Sequence, residues 1–476
     1  MIFTPLSIGI VHFIGIGGIG MSGIAEIMNN LGYTVQGSDI STNININRLR
    51  THGITIHIGH KAENLGNARV VVISSAIKND NIEVITARNR LIPVVRRAEM
   101  LAELIRLKWA IAVGGTHGKT TATSIIATLL DVAGFDPTVI SGGIINAYGT
   151  NARIGDSNWV VVEADESDGT FIKLPATIVV ITNIDPEHLD FYGSFDNLRE
   201  AFLTFVENIP FYGFATMCSD HPEVQSLISR VSDRKIITYG LNLQADVRAT
   251  NIVIDSSGAI YDIIIANRIN DTSRTISKVR LPMYGHHNVL NSLPAIAVAN
   301  ELGINDETIR SSLGNFTGVV HRFTKTGESC GIVVIDDYGH HPVEIIAALQ
   351  AARQITTRNV IAVVQPHRFS RLQRLFNEFC NCFNDADIVI VTDIYSAGEQ
   401  PIEGINQNSL VNGLIASGHR KVFAISTHAE LPILLYELAK SGDLIVCLGA
   451  GNISTLANEL PAQLNALTTK HSLLES

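Results

Sequence analysis

The sequence predicts an α/β protein of three domains, each a mostly parallel sheet with flanking helices. Three observations carry that expectation. Short β-branched runs ending in Gly, Asp or Ser alternate with amphipathic stretches almost from end to end, the pattern of strands covered by helices on both faces. Two glycine-rich turns, Gly15–Gly20 and Gly114–Gly118, each follow an apolar strand and open a helix. A chain of 476 residues exceeds what one core accommodates.

The elements are expected in this order. A first block, residues 1–97, holds strand Ile8–Ile14, a glycine turn, a helix to Asn30, strand Thr34–Ser38 and strand Val70–Ile73. A charged helical stretch, Arg96–Lys108, leads into the second block, residues 98–315. That block restarts with strand Trp109–Val113, the second glycine turn, a helix from near Lys119, and strands around Val160 and Val179. From Ala245 to Arg280 short alternating runs and the turn Asp255-Ser256-Ser257-Gly258 read as an antiparallel excursion, followed by a helix Asn288–Leu302. The third block, residues 316–476, carries strands Ile332–Ile335, Val360–Val364, Ile388–Thr392 and Leu444–Leu448.

Composition narrows the function classes. Apolar residues are 46% and charged residues 17%, enough for sizeable cores. The formal net charge of -10 argues against a general nucleic-acid binder, which needs a basic surface. Cys218, Cys330, Cys380, Cys382 and Cys447 form no CxxC pair; they read as five small buried hydrophobes in a reduced, cytoplasmic compartment. Met1–Ile14 lacks a basic leader region, and no apolar run reaches the roughly 18 residues that span a bilayer, so neither export nor membrane insertion is expected.

Gly15-Ile16-Gly17-Gly18-Ile19-Gly20 fits G-x-G-x-x-G between strand and helix, with Asp39 at the end of the next strand. Glycines permit a tight turn and close approach of backbone amides to a diphosphate, and the helix N-terminus adds partial positive charge. The first domain is therefore expected to be Rossmann-like. A dinucleotide and a nucleotide sugar both offer a diphosphate and a sugar hydroxyl, so the motif alone does not choose between them.

Gly114-Gly115-Thr116-His117-Gly118-Lys119-Thr120-Thr121 is close to a P-loop but departs from the strict pattern, because position 113 is Val. Its working parts are present. Gly118 lets backbone wrap a phosphate, Lys119 can reach the outer phosphate oxygens, and the Thr120 hydroxyl can ligate Mg2+. Two phosphate-handling turns in separate blocks suggest a kinase-like or ligase-like enzyme in which ATP activates a second substrate. The strand Trp159–Val162 ends in Glu163-Ala164-Asp165-Glu166-Ser167-Asp168, where ligands of open α/β sheets gather; oxygen-rich, it suits Mg2+, with a solvated acidic loop as the alternative. Strand Ile178–Ile181 ends similarly in Thr182–Asp190, which contains His188.

These motifs together resemble the Mur ligases. Gly115–Thr121 is similar to that family's P-loop, and the pairing of Glu163–Asp168 with Asn183–Asp190 is similar to its alanine-adding branch. His12–Gly23 with Gly37–Asp39, Gly285–Asn291, His321–Phe323, Asp336–Pro342, Gln365–Arg371 and Gly449–Gly451 extend the resemblance over residues 8 to 455. It implies Rossmann-like N- and C-terminal domains around a P-loop-type central ATPase domain. The implied activity joins L-alanine to the lactyl carboxylate of UDP-N-acetylmuramic acid through an acyl phosphate, releasing ADP and phosphate. That places the chain in peptidoglycan synthesis, with consequences for cell wall, cell shape and division.

By the same resemblance, Gly115 to Thr121, Asn288, Asn291, Arg322 and Asp337 would bind ATP. Lys119, His188 and Arg322 would be catalytic, and Thr120, Glu163 and His188 would hold two Mg2+ ions. Gly15, Gly17, Gly18, Gly20, Asp39 and His60 would bind the UDP-sugar, the first four through backbone groups around the diphosphate. The cations His367, Arg368 and Arg371 would hold the alanine carboxylate, with a surface basic cluster as the alternative. Catalysis would need closure of the third domain, because Arg322 and Arg368 lie outside the ATP block. A monomer or homodimer is expected. One departure separates branches: several members carry a lysine about 15 residues after the metal histidine, where this chain has Leu203. Rival readings are a ligase that reattaches a recycled tripeptide to the same UDP-sugar, a NAD-dependent oxidoreductase, and a P-loop switch without catalysis.

Overall fold

The computed structural model describes residues 9–474 apart from Ser75, Leu107, Ser256 and Ile269, with side chains described as far as residue 469. Ile8, the expected start of the first strand, and Ser256 of the expected turn lie outside the described residues.

Three sheets are built, each mostly parallel. The first comprises β1 (Ile10–Ile14), β2 (Val35–Asp39), β3 (Thr55–Ile58), β4 (Ala68–Ile73) and β5 (Val94–Arg96) in the order β3-β2-β1-β4-β5, every pair parallel. The order reverses at β1, which makes its carboxyl end the crevice where such sheets take ligands. Helices α1 (Ile19–Asn30), α2 (Ile44–Thr51) and α3 (Ile82–Asn89) are its connections, and α4 (Arg97–Ile105) follows β5 directly. Val11, Phe13, Ile24 and Ile46 are fully buried between sheet and helices, which is why these short apolar runs settle as strands and helix faces.

The second sheet has β6 (Trp109–Gly114), β7 (Thr138–Ile145), β8 (Thr150–Arg153), β9 (Trp159–Glu163), β10 (Ile178–Ile181), β11 (Phe214–Cys218) and β12 (Lys235–Gly240), then β13 (Val247–Asp255), β14 (Gly258–Asn267) and β15 (Thr272–Leu281). Its order is β15-β14-β13-β12-β11-β10-β6-β9-β7-β8. β6 lies between β9 and β10, parallel to both, and α5 (Lys119–Val132) leaves its carboxyl end. β13 to β15 follow one another in the sheet, the meander expected from the alternating runs. Helix His286–Glu301 carries Pro294 in its interior.

The third sheet has β16 (Thr324–Ser329), β17 (Ile332–Asp337), β18 (Val360–Val364), β19 (Ile388–Val391), β20 (Val422–Ala424) and β21 (Leu444–Leu448) in the order β16-β17-β21-β18-β19-β20. All its pairs are parallel except β16 with β17. Two compact units emerge: Met1–Thr250 with Asp262–Val279 and Leu290–Thr317, and Asn251–Tyr261 with Arg280–Val289 and Gly318–Ser476. Four of the five cysteines are buried as expected; Cys330, in the turn between β16 and β17, is exposed instead. Among the described residues, no helix is long and apolar enough to cross a membrane.

Candidate active site

The first glycine turn leaves β1 with Gly15 at φ +78. Gly15 N and Ile16 N donate to Ser38 O, which folds the turn onto the end of β2. Asp39 is drawn into it as well: its Oδ2 accepts from Gly17 N at 2.8 Å, while Asn43 and Asn45 donate to Gly17 O. Gly18 N donates to Gly15 O. Asp39 and the amides of Gly17 and Gly18 are thus hydrogen-bonded within the turn, where the resemblance expects the sugar nucleotide. The first bond within α1 is Ser22 N to Gly18 O, so Ile19, Gly20 and Met21 head the helix without intrahelical acceptors. Neither Gly18 nor Gly118 supplies a side-chain cap, whereas Asn43 and Asn81 cap α2 and α3. An anion satisfies such helix ends.

His60 stands at the same edge, with Nδ1 3.1 Å from Ser38 Oγ and 3.7 Å from a Glu83 oxygen. Glu83 is fully buried and collects His12 Nε2 (3.0 Å), Ser38 Oγ (2.6 Å), Asn64 Nδ2 (2.6 Å) and Lys61 N (3.0 Å). Burial opposes its charge, but the bonds from His12, Ser38 and Asn64 prevail and hold the carboxyl down at about 2. Sequence reasoning missed Glu83, which reads as an ordinary acid in a first helical turn.

The second turn is stitched to the segment after β10. Thr116 N donates to Asn183 O and His117 N to Asn183 Oδ1, while Thr182 Oγ1 and Asn183 Nδ2 donate to His117 O. Gly115, at φ +133, lies so close to Thr182 Oγ1 that any Cβ would overlap it. Gly118, at φ +80, lies under the Asn291 amide with the same consequence. Asn291 is thus at the turn; Asn288 spends its amide on Tyr284 O.

Lys119 opens α5 and folds back over the turn, donating to Thr116 O and to Glu166 Oε1 at 2.9 Å. Burial works against its charge, but Glu166 and Glu163 outweigh it and hold the ammonium above its ordinary range. Burial pushes the Glu166 carboxyl up despite Lys119. Thr120 Oγ1 lies 3.2 Å from Glu163 Oε1, and the other Glu163 oxygen accepts from Gly142 N. These oxygens make a donor set of the kind Mg2+ takes. His188, at positive φ, lies 3.9 Å from Glu166 and 4.0 Å from Glu187, away from Thr120 and Glu163 in its contacts. Among the described residues no three His, Cys, Asp or Glu side chains form a ready-made metal cage.

In the second unit, Asp337 ends β17 and accepts from Phe323 N and Gly339 N. Burial pushes its carboxyl up to about 6 against the pull of Arg322. The Arg322 guanidinium stands 5.1 Å from the Tyr338 ring centre. His367 stacks on Tyr395 at 5.4 Å with 12° between ring planes and meets His340 at 5.6 Å. Arg371 Nη1 is 3.3 Å from His367 Nδ1. Arg368 takes a strained φ of +71 and donates its amide to Tyr395 O. Burial, then His340, Arg371 and Arg368, depress His367 to about 3, which favours a neutral imidazole beside the two arginines. Tyr395 and Glu399, which accepts from Ser370 N and Oγ, complete this cluster and were not read from sequence.

A Rossmann-ordered sheet and a P-loop-type turn backed by acids define a multidomain nucleotide-handling α/β protein. The chain belongs to the Mur ligase family: it matches the family's catalytic domain over residues 10–109, its middle domain over 113–299 and its glutamate ligase domain over 321–451. It is 66% identical to the UDP-N-acetylmuramate–L-alanine ligase of Rhodospirillum centenum, covering 97% of this chain and 96% of that one. Identity to the enzyme of the same name from Paramagnetospirillum magneticum is 65%, covering 97% of each. The crystal structure of UDP-N-acetylmuramate-alanine ligase MurC from Thermotoga maritima superposes with a TM-score of 0.80 at 27% identity, covering 96% of this chain and 99% of that one.

Proposed function

We propose that this chain is an ATP-dependent ligase joining L-alanine to the lactyl carboxylate of UDP-N-acetylmuramate. What carries the reading is that relatives bearing that activity's name are about two-thirds identical along nearly the whole chain. The carboxylate attacks the γ-phosphorus, ADP leaves, and the neutral amine of alanine attacks the acyl phosphate to expel inorganic phosphate. In this reading Lys119 neutralises charge on the transferring phosphoryl group, Asn291 contacts the nucleotide base, and Arg322 and Asp337 serve its phosphates and ribose. Thr120 and Glu163 would hold Mg2+, with His188 beside a second ion; bound there, the metal screens phosphate charge. Arg368 and Arg371 hold the amino acid's carboxylate, while Gly20 and its neighbours at the head of α1 meet the diphosphate of the sugar nucleotide. An enzyme using ATP and these substrates would work in the cytoplasm.

Phosphate release by the purified protein tests this, with ATP, Mg2+, UDP-N-acetylmuramate and each amino acid or tripeptide in turn. Release that requires the UDP-sugar and L-alanine together is expected. Release driven by a tripeptide in preference to alanine overturns the reading in favour of recycling.

A further inference from the structure

We propose that Arg97, in the stretch connecting the first two sheets, is a positioning residue that binds an anionic group of the sugar nucleotide and ties it to the acid loop around Lys119. The inference rests on the UDP-sugar reading of the first glycine turn and adds a residue to it.

Arg97 is the first residue of α4, directly after β5. Its guanidinium reaches two places. Nη2 donates to Asp165 Oδ2 at 2.7 Å. Nη1 lies so close to Gly20 that a Cβ on that glycine would stand 3.1 Å from it. Gly20 belongs to the first turn of α1, whose amides have no intrahelical acceptor. A guanidinium beside those amides makes a two-sided donor for phosphate or carboxylate oxygens, and its fork geometry leaves N–H groups for a ligand while one holds Asp165. The Arg97 side chain is only 16% exposed, against 42% for Asp165. A cation so placed is partly desolvated, which strengthens any ion pair it makes.

The other end of the connection is the nucleotide turn. Asp165 is followed by Glu166, the partner of Lys119. Although burial works against it, the Arg97 charge and the Ser167 bonds hold the Asp165 carboxyl below its usual range. Gly20, Arg97, Asp165, Glu166 and Lys119 thus form one chain of contacts from the head of α1 to the head of α5. Two anions share the Arg97 guanidinium, the Asp165 carboxylate on Nη2 and the incoming ligand on the remaining N–H groups. Occupancy of the sugar-nucleotide turn is thereby felt at the loop that holds Lys119.

Calorimetric titration of the full chain with UDP, UDP-N-acetylmuramate and ATP tests this on the parent, Arg97→Gln and Arg97→Lys. Gln keeps a donor for Asp165 and removes the charge; Lys keeps the charge and loses the fork. Affinity for UDP-N-acetylmuramate is expected to fall roughly 10–100-fold in Arg97→Gln and partly recover in Arg97→Lys, with ATP affinity changed far less. An equal loss for UDP assigns the contact to the diphosphate; a loss confined to UDP-N-acetylmuramate assigns it to the lactyl carboxylate. Either supports the proposal. Unchanged UDP-N-acetylmuramate affinity in a folded Arg97→Gln protein overturns it, as does equal weakening of all three ligands, the mark of a purely structural role. A parent that binds no UDP-N-acetylmuramate overturns the functional reading first and this proposal with it.

Discussion

The Lys119 ammonium stands 2.9 Å from both carboxylate oxygens of Glu166, in an ion pair whose side chains are 15% and 3% exposed. The lysine proposed for phosphate neutralisation is therefore held by a carboxylate, and a triphosphate has to compete for it. That arrangement keeps the ammonium charged in an otherwise desolvating site.

Lys119→Ala is expected to abolish turnover while leaving UDP-N-acetylmuramate affinity within about twofold of the parent, a change worth under ~0.5 kcal/mol. It should also destabilise the protein by roughly 3 kcal/mol, because Glu166 stays buried without its partner. Adding Glu166→Gln should recover most of that loss but no activity. Urea titration and calorimetry on the two variants check this, and parallel loss of sugar-nucleotide binding would count against separate sites.

Glu83 gives the first sheet an acid-sensitive anchor. Its folded-state value of about 2 lies below the ordinary 4.5. The stability it contributes is thus fully present above pH 4.5 and is lost as pH falls from there towards 2. A shift of this size corresponds to about 3 kcal/mol. Glu83→Gln should lower stability at pH 7 and flatten the fall between pH 5 and pH 3. Denaturant unfolding at those three pH values measures both, and an unchanged slope would sink the assignment.

Asp337 has the opposite sign. Burial raises it to about 6, so the neutral form suits the fold and stability declines as pH rises from about 3.8 through 6. Asp337→Asn should be at least as stable as the parent at pH 8 while binding ATP more weakly. A variant less stable than the parent at pH 8 would show that the charged carboxylate, bonded to Phe323 N and Gly339 N, is the preferred state.

His367 is held neutral across the working range, so the KM for alanine should show no titration near pH 6.5 that belongs to it. Arg371→Ala, in contrast, should raise that KM roughly 10–100-fold by removing a charged hydrogen bond. Initial rates from pH 5.5 to 8 decide. A step near 6.5 that disappears in His367→Asn would contradict the neutral assignment.

Both glycine turns, the strands they follow and the acids after β9 were legible in the sequence, because these signals are local: a few apolar residues, a glycine, then a helix. The short strands β3, β5, β16 and β20 were not, since edge strands of three to six residues carry little pattern; only Thr55-Ile56-His57-Ile58 alternates visibly. The resemblance offered Asp39 as a candidate for the sugar nucleotide; that it also accepts from Gly17 N depends on how β2 meets β1, which no local motif records. Glu83, Arg97, Tyr395 and Glu399 escaped because each acquires its role from a residue far along the chain. The 71 positions between Glu83 and His12 and the 68 between Arg97 and Asp165 leave no trace in a linear motif.

The stitching of Thr116 and His117 to Thr182 and Asn183 has a consequence for engineering. Residues 114–121 are not a portable cassette: without the Asn183 amide and the space that Thr182 leaves only for glycine, the loop lacks the mould that gives it its shape. A chimera that transplants the second glycine turn into another scaffold has to bring the stretch after β10 as well.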